Sequence, residues 1–499
     1  MGIGGNWDRR VSRRAFLGAG GLGAAGLLFG SGSALAQDED AAGFGKLQSD
    51  PGGMLDLPRG FQYRVISREG SRLSNGAPVP GDHDGMAAFR GTQRGTTVLV
   101  RNHEQRLGDP NPVEGKNPYD PTSPGGTTAV VVDNEKRKVV KSYVSSSGTL
   151  NNCAGGGTPW GTWLTCEEDR TTNHGYVFEV DPRNPEGALS RTPIRDMGFF
   201  SHEAVDIDPR TGVAYLTEDD FRGTIPDDPN DEVVADEIGT RVSYLYRFIP
   251  NDPRGGRGSL QKGGRLQVMT LEGRSDYNVD LASPRKKFSV VWRNVNPEEP
   301  HESAEDLGAA RFNRLEGAFF SGDTFWFDDT AGGEKRLGQI FRYRPRTQTL
   351  ELFYEGTDAN KMESPDNICV TPWGDLWFVE DGDGENRVMG ITPEGRVYKF
   401  ANNRVPSPGE PGSFSEFCGP TFSPDGQTFF VNIQNPGITY AIWGPFKRFN
   451  DGRQRQMGVA APPRSLAPNV SGELAEAAER YGMETLEAAA FDRLGVPLA

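Results

Sequence analysis

The chain has 499 residues, with 69 Asp and Glu against 54 Lys and Arg and a formal net charge of −15. That acidity excludes nucleic acid as a natural partner and suits a protein that binds cations through carboxylates. Four cysteines (Cys153, Cys166, Cys369, Cys418) are too few to staple a chain of this length.

The N-terminus reads as a removable targeting segment over residues 1–36. Arg9-Arg10 and Ser12-Arg13-Arg14-Ala15-Phe16-Leu17 form its charged part, a Gly/Ala/Leu stretch its core, and Ala34-Leu35-Ala36 its cleavage site. The paired arginines ahead of Phe-Leu favour the twin-arginine export machinery, hence a periplasmic or secreted protein. No other stretch approaches the roughly 20 apolar residues of a membrane span, so no stable membrane insertion is expected, and a monomer is.

Residues 37–465 read as all-β, with short β-rich runs between Gly- and Pro-containing turns. A motif recurs in Thr158-Pro-Trp-Gly161 through Glu167-Glu168, in Asp208-Pro-Arg-Thr-Gly212 through Glu218-Asp219, and in Thr371-Pro-Trp-Gly374 through Glu380-Asp381. Looser copies run from Gly322 to Asp328 and from Gly426 to Asn432, and an earlier one starts at Gly95. Each turn glycine precedes an acid or amide by six residues in the five later copies. The spacing between copies is close to 52 residues, with a faint copy near Gly264 filling the one long interval. A period near 50 built from strands predicts a β-propeller of six blades, or seven. In that fold a residue recurring at one position of the repeat forms a ring around the central channel. Residues 222–240 read as an acidic insertion, and residues 466–499, rich in Ala, Glu and Leu, as a short C-terminal helical appendix.

Several segments could carry chemistry. Cys153, just before three glycines, reads as a loop thiol able to bind a transition metal, or as a small buried turn residue. Strand alternation lets only one of Glu167 and Glu168 face a site, and Glu168 is the choice. His103-Glu104 and His202-Glu203 are candidate ligand pairs. Arg314 beside Glu316 offers a guanidinium for bidentate phosphate binding, or a surface ion pair. Pro365-Asp366-Asn367 and Ser415-Glu416-Phe417-Cys418 put acids at comparable places in two further repeats. No nucleophile elbow, phosphate loop or dinucleotide fingerprint is present. The donor set favours calcium on the carboxylates and iron on the thiol.

Taken in order, these segments resemble the PhoX-type alkaline phosphatase family. The resemblance rests on Leu57-Pro58-Arg59-Gly60-Phe61, Asp84-Gly85-Met86, Asn102-His103-Glu104 and Asn152-Cys153-Ala-Gly-Gly with the Thr158–Glu168 motif. It continues through His202-Glu203-Ala204, Pro365-Asp366-Asn367, Gly419-Pro420-Thr421-Phe422 and Val431-Asn432-Ile433-Gln434-Asn435-Pro436-Gly437. It implies a propeller holding two ferric and three calcium ions bridged by an oxo group, with Cys153, Glu168, Glu203, Glu316 and Glu416 as metal ligands. It also implies that Arg314 binds the phosphate of a small-molecule phosphoester, with Arg314 and Glu316 as catalytic residues. Two departures stand out. The family's Arg-Pro-Glu-Asp-Ile-Glu is Arg314-Leu-Glu316-Gly-Ala-Phe here, and Val379-Glu380-Asp381 replaces Thr-Asp-Gly. Two other classes fit a metal-bearing propeller: a calcium-dependent lactonase or ester hydrolase, and a non-catalytic binding propeller. The lactonase reading does not need Cys153.

Overall fold

The computed structural model describes residues 42–446, apart from 172, 220–241, 383 and 410. The expected signal segment, nearly all of the acidic insertion and the C-terminal appendix lie outside the described residues. Among the described residues no helix is long and apolar enough to cross a membrane.

The architecture is all-β and propeller-like. Strands His83–Arg90, Thr96–His103, Gly125–Asp133 and Lys138–Thr149 form one antiparallel sheet in chain order. Asn152–Gly157, Trp163–Glu167 and Val177–Val180 form the next. A nine-stranded sheet runs outward from His202–Ile207 through Ala214–Glu218, Leu245–Pro250 and Gly264–Leu271 to Lys287–Asn294. It returns inward through Thr349–Glu355, Gln339–Arg344 and Thr324–Asp329 to Leu315–Ser321. A six-stranded sheet starts at Pro365–Val370 and gains Leu55–Pro58 and Leu47–Gln48 at its outer edge. The last contains Phe417–Phe422, Phe429–Ile433 and Ile438–Trp443, and its fourth strand is the N-terminal Gln62–Arg68. That strand pairing ties the two ends of the described chain together.

The faint repeat near Gly264 is corrected by this topology. Gly264–Leu271 and Lys287–Asn294 extend an existing sheet outward, and neither opens a new one at the axis. The long interval between Gly212 and Gly322 is therefore one enlarged unit.

The recurring Thr-Pro-Trp-Gly segment is the turn between first and second strands. Gly161 and Gly374 take φ of 81° and 92°, a region that suits glycine, and their N–H groups bond back to Thr158 O and Thr371 O. The threonine hydroxyls close the turns by accepting from Thr162 N and Asp375 N. Beyond the second turn, Trp377 is fully buried, with Phe400 at 4.2 Å and Phe429 edge-on at 5.0 Å between ring centroids. Its Nε1 donates to Tyr398 Oη, which donates in turn to Asp375 Oδ2. The aromatics of the motif thus fill the space between sheets.

The six first strands (His83–Arg90, Asn152–Gly157, His202–Ile207, Leu315–Ser321, Pro365–Val370, Phe417–Phe422) pack against one another in a closed cycle around the axis. Side chains there must be small. A Cβ on Gly156 would lie 1.7 Å from Val205 O, and one on Gly317 would lie 2.5 Å from Asp366 O. Further along the axis the same strands enclose a cavity of about 520 Å³ walled by Met86, Phe89, Phe319, Ile368 and Phe422, among others. Because Gly156 meets backbone that cannot swing aside, Gly156→Ala should destabilise the fold by about 3 kcal/mol. Comparing urea midpoints at unchanged m-value checks this.

Candidate metal centre

Each first strand breaks register with its second strand near its start. The breaks fall between His83 and Met86, Asn152 and Gly155, His202 and Val205, Leu315 and Ala318, Pro365 and Ile368, and Cys418 and Thr421. A bulge at such a place bends the strand and re-aims a side chain. One hydrogen bond recurs with it: Glu104, Glu168, Asp219, Thr330, Asp381 and Gln434 donate their N–H to the carbonyls of Asp82, Asn151, Ser201, Arg314, Ser364 and Glu416. These bonds define two rings of equivalent positions. The inner ring, two residues after each accepting carbonyl, is Asp84, Cys153, Glu203, Glu316, Asp366 and Cys418. The outer ring is the set of six donors.

Three groups of ligand atoms form where the rings meet. They are Asp84, Glu104 and Cys153; Cys153, Glu168 and Glu203; and Glu203, Glu316 and Asp366, each with its atoms within 4.8 Å of one another and all residues buried. Cys153 and Glu203 each belong to two groups, so the three form one continuous chain of donors. The Cys153 thiol lies 3.2 Å from Glu203 Oε1 and 3.6 Å from Asp84 Oδ2. Cys153 itself sits in the strand Asn152–Gly157 and not on a loop, because the glycines after it allow close strand packing.

Electrostatics report the same convergence. Asp328, fully buried, is held well above the usual carboxylate range by burial and then by the charge of Asp366, with Glu203 adding to it. Burial likewise pushes the Cys418 thiol up, and Asp84, Glu416, Asp366 and Glu104 reinforce the shift. Cys418 holds the sixth inner-ring position, but its thiol donates to His83 O at 2.8 Å and joins none of the three groups.

Arg314 stands beside this chain of donors with its side chain 11% exposed. It takes φ of 64°, an uncommon conformation for a residue with a Cβ, and its N–H donates to Ser243 Oγ. Its Nε and Nη2 donate to Asp219 Oδ1 and Oδ2 at 3.2 and 2.7 Å, and Nη2 also reaches Glu316 Oε1 at 2.7 Å. Thr217 Oγ1 donates to Glu316 O at 2.6 Å, fixing the backbone between them.

The structure brings Cys153, Glu168, Glu203 and Glu316 together, with Arg314 bonded to the last. Glu416 is buried nearby and lies outside the three groups. Sequence reasoning had assigned no role to Asp84 or Asp219, had named Glu104 as half of the candidate ligand pair His103-Glu104, and had noted Asp366 only as an acid at a comparable place. The signal available for the inner ring was an acid or thiol followed by a small residue on five of the six first strands: Asp84-Gly85, Cys153-Ala154, Glu203-Ala204, Glu316-Gly317 and Cys418-Gly419, with Asp366-Asn367 on the sixth.

The expectation that the acids six residues after each turn glycine ring the channel is corrected. Glu167 accepts from Leu150, Gly175 and Tyr176 N and pairs with His174 at 2.7 Å. Glu218 accepts from Tyr244 N and Tyr246 Oη and pairs with His301 at 2.8 Å. Glu380 accepts from Glu363 N and pairs with Arg387. These carboxylates bolt loops to second strands, because side chains alternate along a strand and the next residue faces the axis. Asp328 alone of that set stands next to the donor chain. Nor do His103 and His202 join the groups: His103 bonds Gly81 O and Thr128 Oγ1, and His202 Nε2 bonds Gly198 O. Burial pushes the His202 imidazole down to about 3, so it is neutral.

Comparison with known proteins adds the family. Among solved structures, Pseudomonas fluorescens PhoX in complex with vanadate, a transition state analogue, aligns with a TM-score of 0.58 at 19% identity. The alignment covers 79% of this chain and 96% of that one, a likeness of fold. Weaker likenesses are a gluconolactonase from Xanthomonas campestris (TM-score 0.38, 15% identity, 78% and 97% covered) and regucalcin, a calcium-binding protein from Agrobacterium tumefaciens (0.37, 13%, 77% and 97%). No curated protein matches in sequence. The sequence matches the family described as Alkaline phosphatase PhoX over residues 42–437, and the chain belongs to that family.

Proposed function

We propose that this phosphatase is a metal-dependent phosphomonoesterase, acting on small-molecule phosphoesters through an iron and calcium cluster in the channel of a six-bladed propeller. The observation that carries this is the continuous chain of buried donors, with Arg314 hydrogen-bonded to its Glu316. We propose further that the protein is exported folded by the twin-arginine route, as its N-terminal residues suggest.

The donor set fits the metals. A thiolate with two carboxylates (Cys153, Glu168, Glu203) suits iron, and the all-oxygen group Glu203, Glu316 and Asp366 suits calcium. Asp84 and Glu104 extend the set on the other side of Cys153, and Glu416 stands near them. When bound, such ions neutralise charge on a phosphoryl group and acidify water.

The chain's own residues supply position. Arg314 presents a planar guanidinium to a phosphate oxygen. Asp219 grips two of its nitrogens and fixes the plane, while Glu316 ties the arginine to the acidic chain. Among the described residues the Ser123–His174 hydrogen bond leads to Glu167, outside the three donor groups, and this chemistry requires no such pair. A lactonase or a purely binding propeller would have no use for a thiol at the join between two donor groups.

Elemental analysis of the purified protein should find iron and calcium. A chelator that strips them should abolish p-nitrophenyl phosphate turnover and lower the melting temperature, as loss of a native-state ligand does. Cys153→Ala should lose iron and turnover together; a variant keeping both would remove the thiol from the site. Asp219→Ala should raise KM for p-nitrophenyl phosphate about tenfold at unchanged metal content, since one charged hydrogen-bonding fork is worth about that factor.

A further inference from the structure

Across the paired first and second strands, Asn152, His202, Leu315 and Pro365 face Glu167, Glu218, Asp329 and Glu380. These four carboxylates hold one position of the repeat, and in the repeat that begins at Leu315 it belongs to Asp329, the residue after Asp328. The backbone agrees. Leu150, Asn313 and Glu363, each two residues before the facing strand residue, donate their N–H to Glu167, Asp329 and Glu380. Three of the four carboxylates also pair with a basic side chain: His174, His301 and Arg387. Among the described residues Asp329 has no such partner, although it is fully buried.

What it has instead is oxygen. The buried Gln339 donates its Nε2 to Asp280 O at 2.7 Å and to Glu355 Oε2 at 3.1 Å, two atoms that only accept, so its Oε1 faces the other way. There a Cβ on Gly332 would lie 2.7 Å from Gln339 Oε1 and 2.8 Å from Asp329 Oδ1, so the two oxygens flank one point. Neither has a hydrogen-bond partner, nor do the buried atoms Asn313 Oδ1 and Asp280 Oδ1. The Asn313 Nδ2 is spent on Ala331 O at 3.2 Å. Burial, and then the charge of Asp280, hold Asp329 well above the usual carboxylate range. Buried acceptors side by side need a cation or a proton between them.

We propose that Asp329, Gln339, Asn313 and Asp280 bind a calcium ion, which takes in this repeat the part that His174, His301 and Arg387 play in the others. All four offer hard oxygen atoms, and calcium accepts such ligands in flexible geometry with water completing the set. The site is separate from the channel, whose three donor groups contain none of these residues. Its place gives it a use. Arg314 follows Asn313 directly, takes the uncommon φ of 64°, and its carbonyl accepts from the N–H of Thr330, the residue after Asp329. An ion joining Asn313 to Asp329 fixes the backbone from which Arg314 reaches the donor chain.

The test is elemental analysis of the full chain after equilibration with calcium chloride and removal of the excess, beside melting curves with and without calcium. Asp329→Asn should carry one calcium fewer per chain than the wild type at unchanged iron, and calcium should raise its melting temperature less. If a proton joined the two oxygens, the asparagine amide would replace it by donating to Gln339 Oε1. Equal calcium content and an equal calcium-dependent shift would therefore overturn the site. Gln339→Lys supplies a cation as Arg387 does beside Glu380, and it should also lose one calcium; a lysine variant with its full calcium would overturn the site even where Asp329→Asn fails to fold. The hold on Arg314 rests on the phosphomonoesterase reading and is read separately. In Asp329→Asn the KM for p-nitrophenyl phosphate should rise severalfold with kcat kept, and an unchanged KM would overturn that role. A wild type without turnover would sink the phosphomonoesterase reading and leave the calcium count standing.

Discussion

Negative charge gathered in a buried channel is the constraint around which this molecule is built. Two like charges 4.8 Å apart repel by roughly 3 kcal/mol at an effective dielectric of about 20, and each must also be desolvated. Asp84, Glu104, Glu168, Glu203, Glu316 and Asp366 are all buried, each within such reach of another acid in its own donor group. The upward shifts of Asp328 and Cys418, caused first by burial, carry the added repulsion of these acids. Left alone, the ring would spread. The scaffold must therefore hold the acids in place mechanically, and a cation bound among them would turn the arrangement from costly to favourable.

That mechanical task explains the rest of the fold. Six first strands approach closely enough that a methyl group on Gly85, Gly156, Gly317 or Gly419 would strike neighbouring backbone. Each bulge turns one side chain to the axis, and each is locked by the N–H of the outer-ring residue donating across it. Behind that layer, Glu167, Glu218 and Glu380 are each held by backbone amides and by a cation or His. The pairing of Gln62–Arg68 with Ile438–Trp443 then prevents the sheets from opening.

Much of this was legible in the sequence, and what was not has a physical reason. Turn glycines followed by an aromatic strand give the period, since a tight turn demands positive φ and a sheet interface demands large apolar groups. The same period misled about the ring. Glu167 and Glu168 differ by one residue, and alternation places them on opposite sides of the strand, so the recurring acid was the bolt and its neighbour faced the donors. Asp84 stayed without a role, and Glu104 was singled out only beside His103, because a bulge has no composition of its own. Only the register breaks and the recurring N–H to carbonyl bond identify them as partners of Cys153. The enlarged unit between Gly212 and Gly322 concealed itself for a related reason: strands added at a sheet's outer edge look, in sequence, like strands that start a new sheet.

Pseudo-symmetry sets positions and leaves chemistry to the residues that fill them. Around the outer ring the occupants are Glu104, Glu168 and Asp219 on one side, then Thr330, Asp381 and Gln434. In the inner ring Cys153 and Cys418 hold equivalent places, yet one lies at the join of two donor groups and the other bonds a backbone carbonyl. The difference follows from neighbours. Cys153 faces Glu168 and Glu203, whereas beside Cys418 the outer-ring residue is Gln434, which spends its amide on Glu104 and Asp84. Donors are thus concentrated toward Cys153, and Arg314 meets them from the far side with its guanidinium held by Asp219. A ring of identical residues would bind ions without direction. Unequal occupation of equal positions gives the channel one side rich in buried donors and another that carries a held guanidinium, and the proposed reaction needs both.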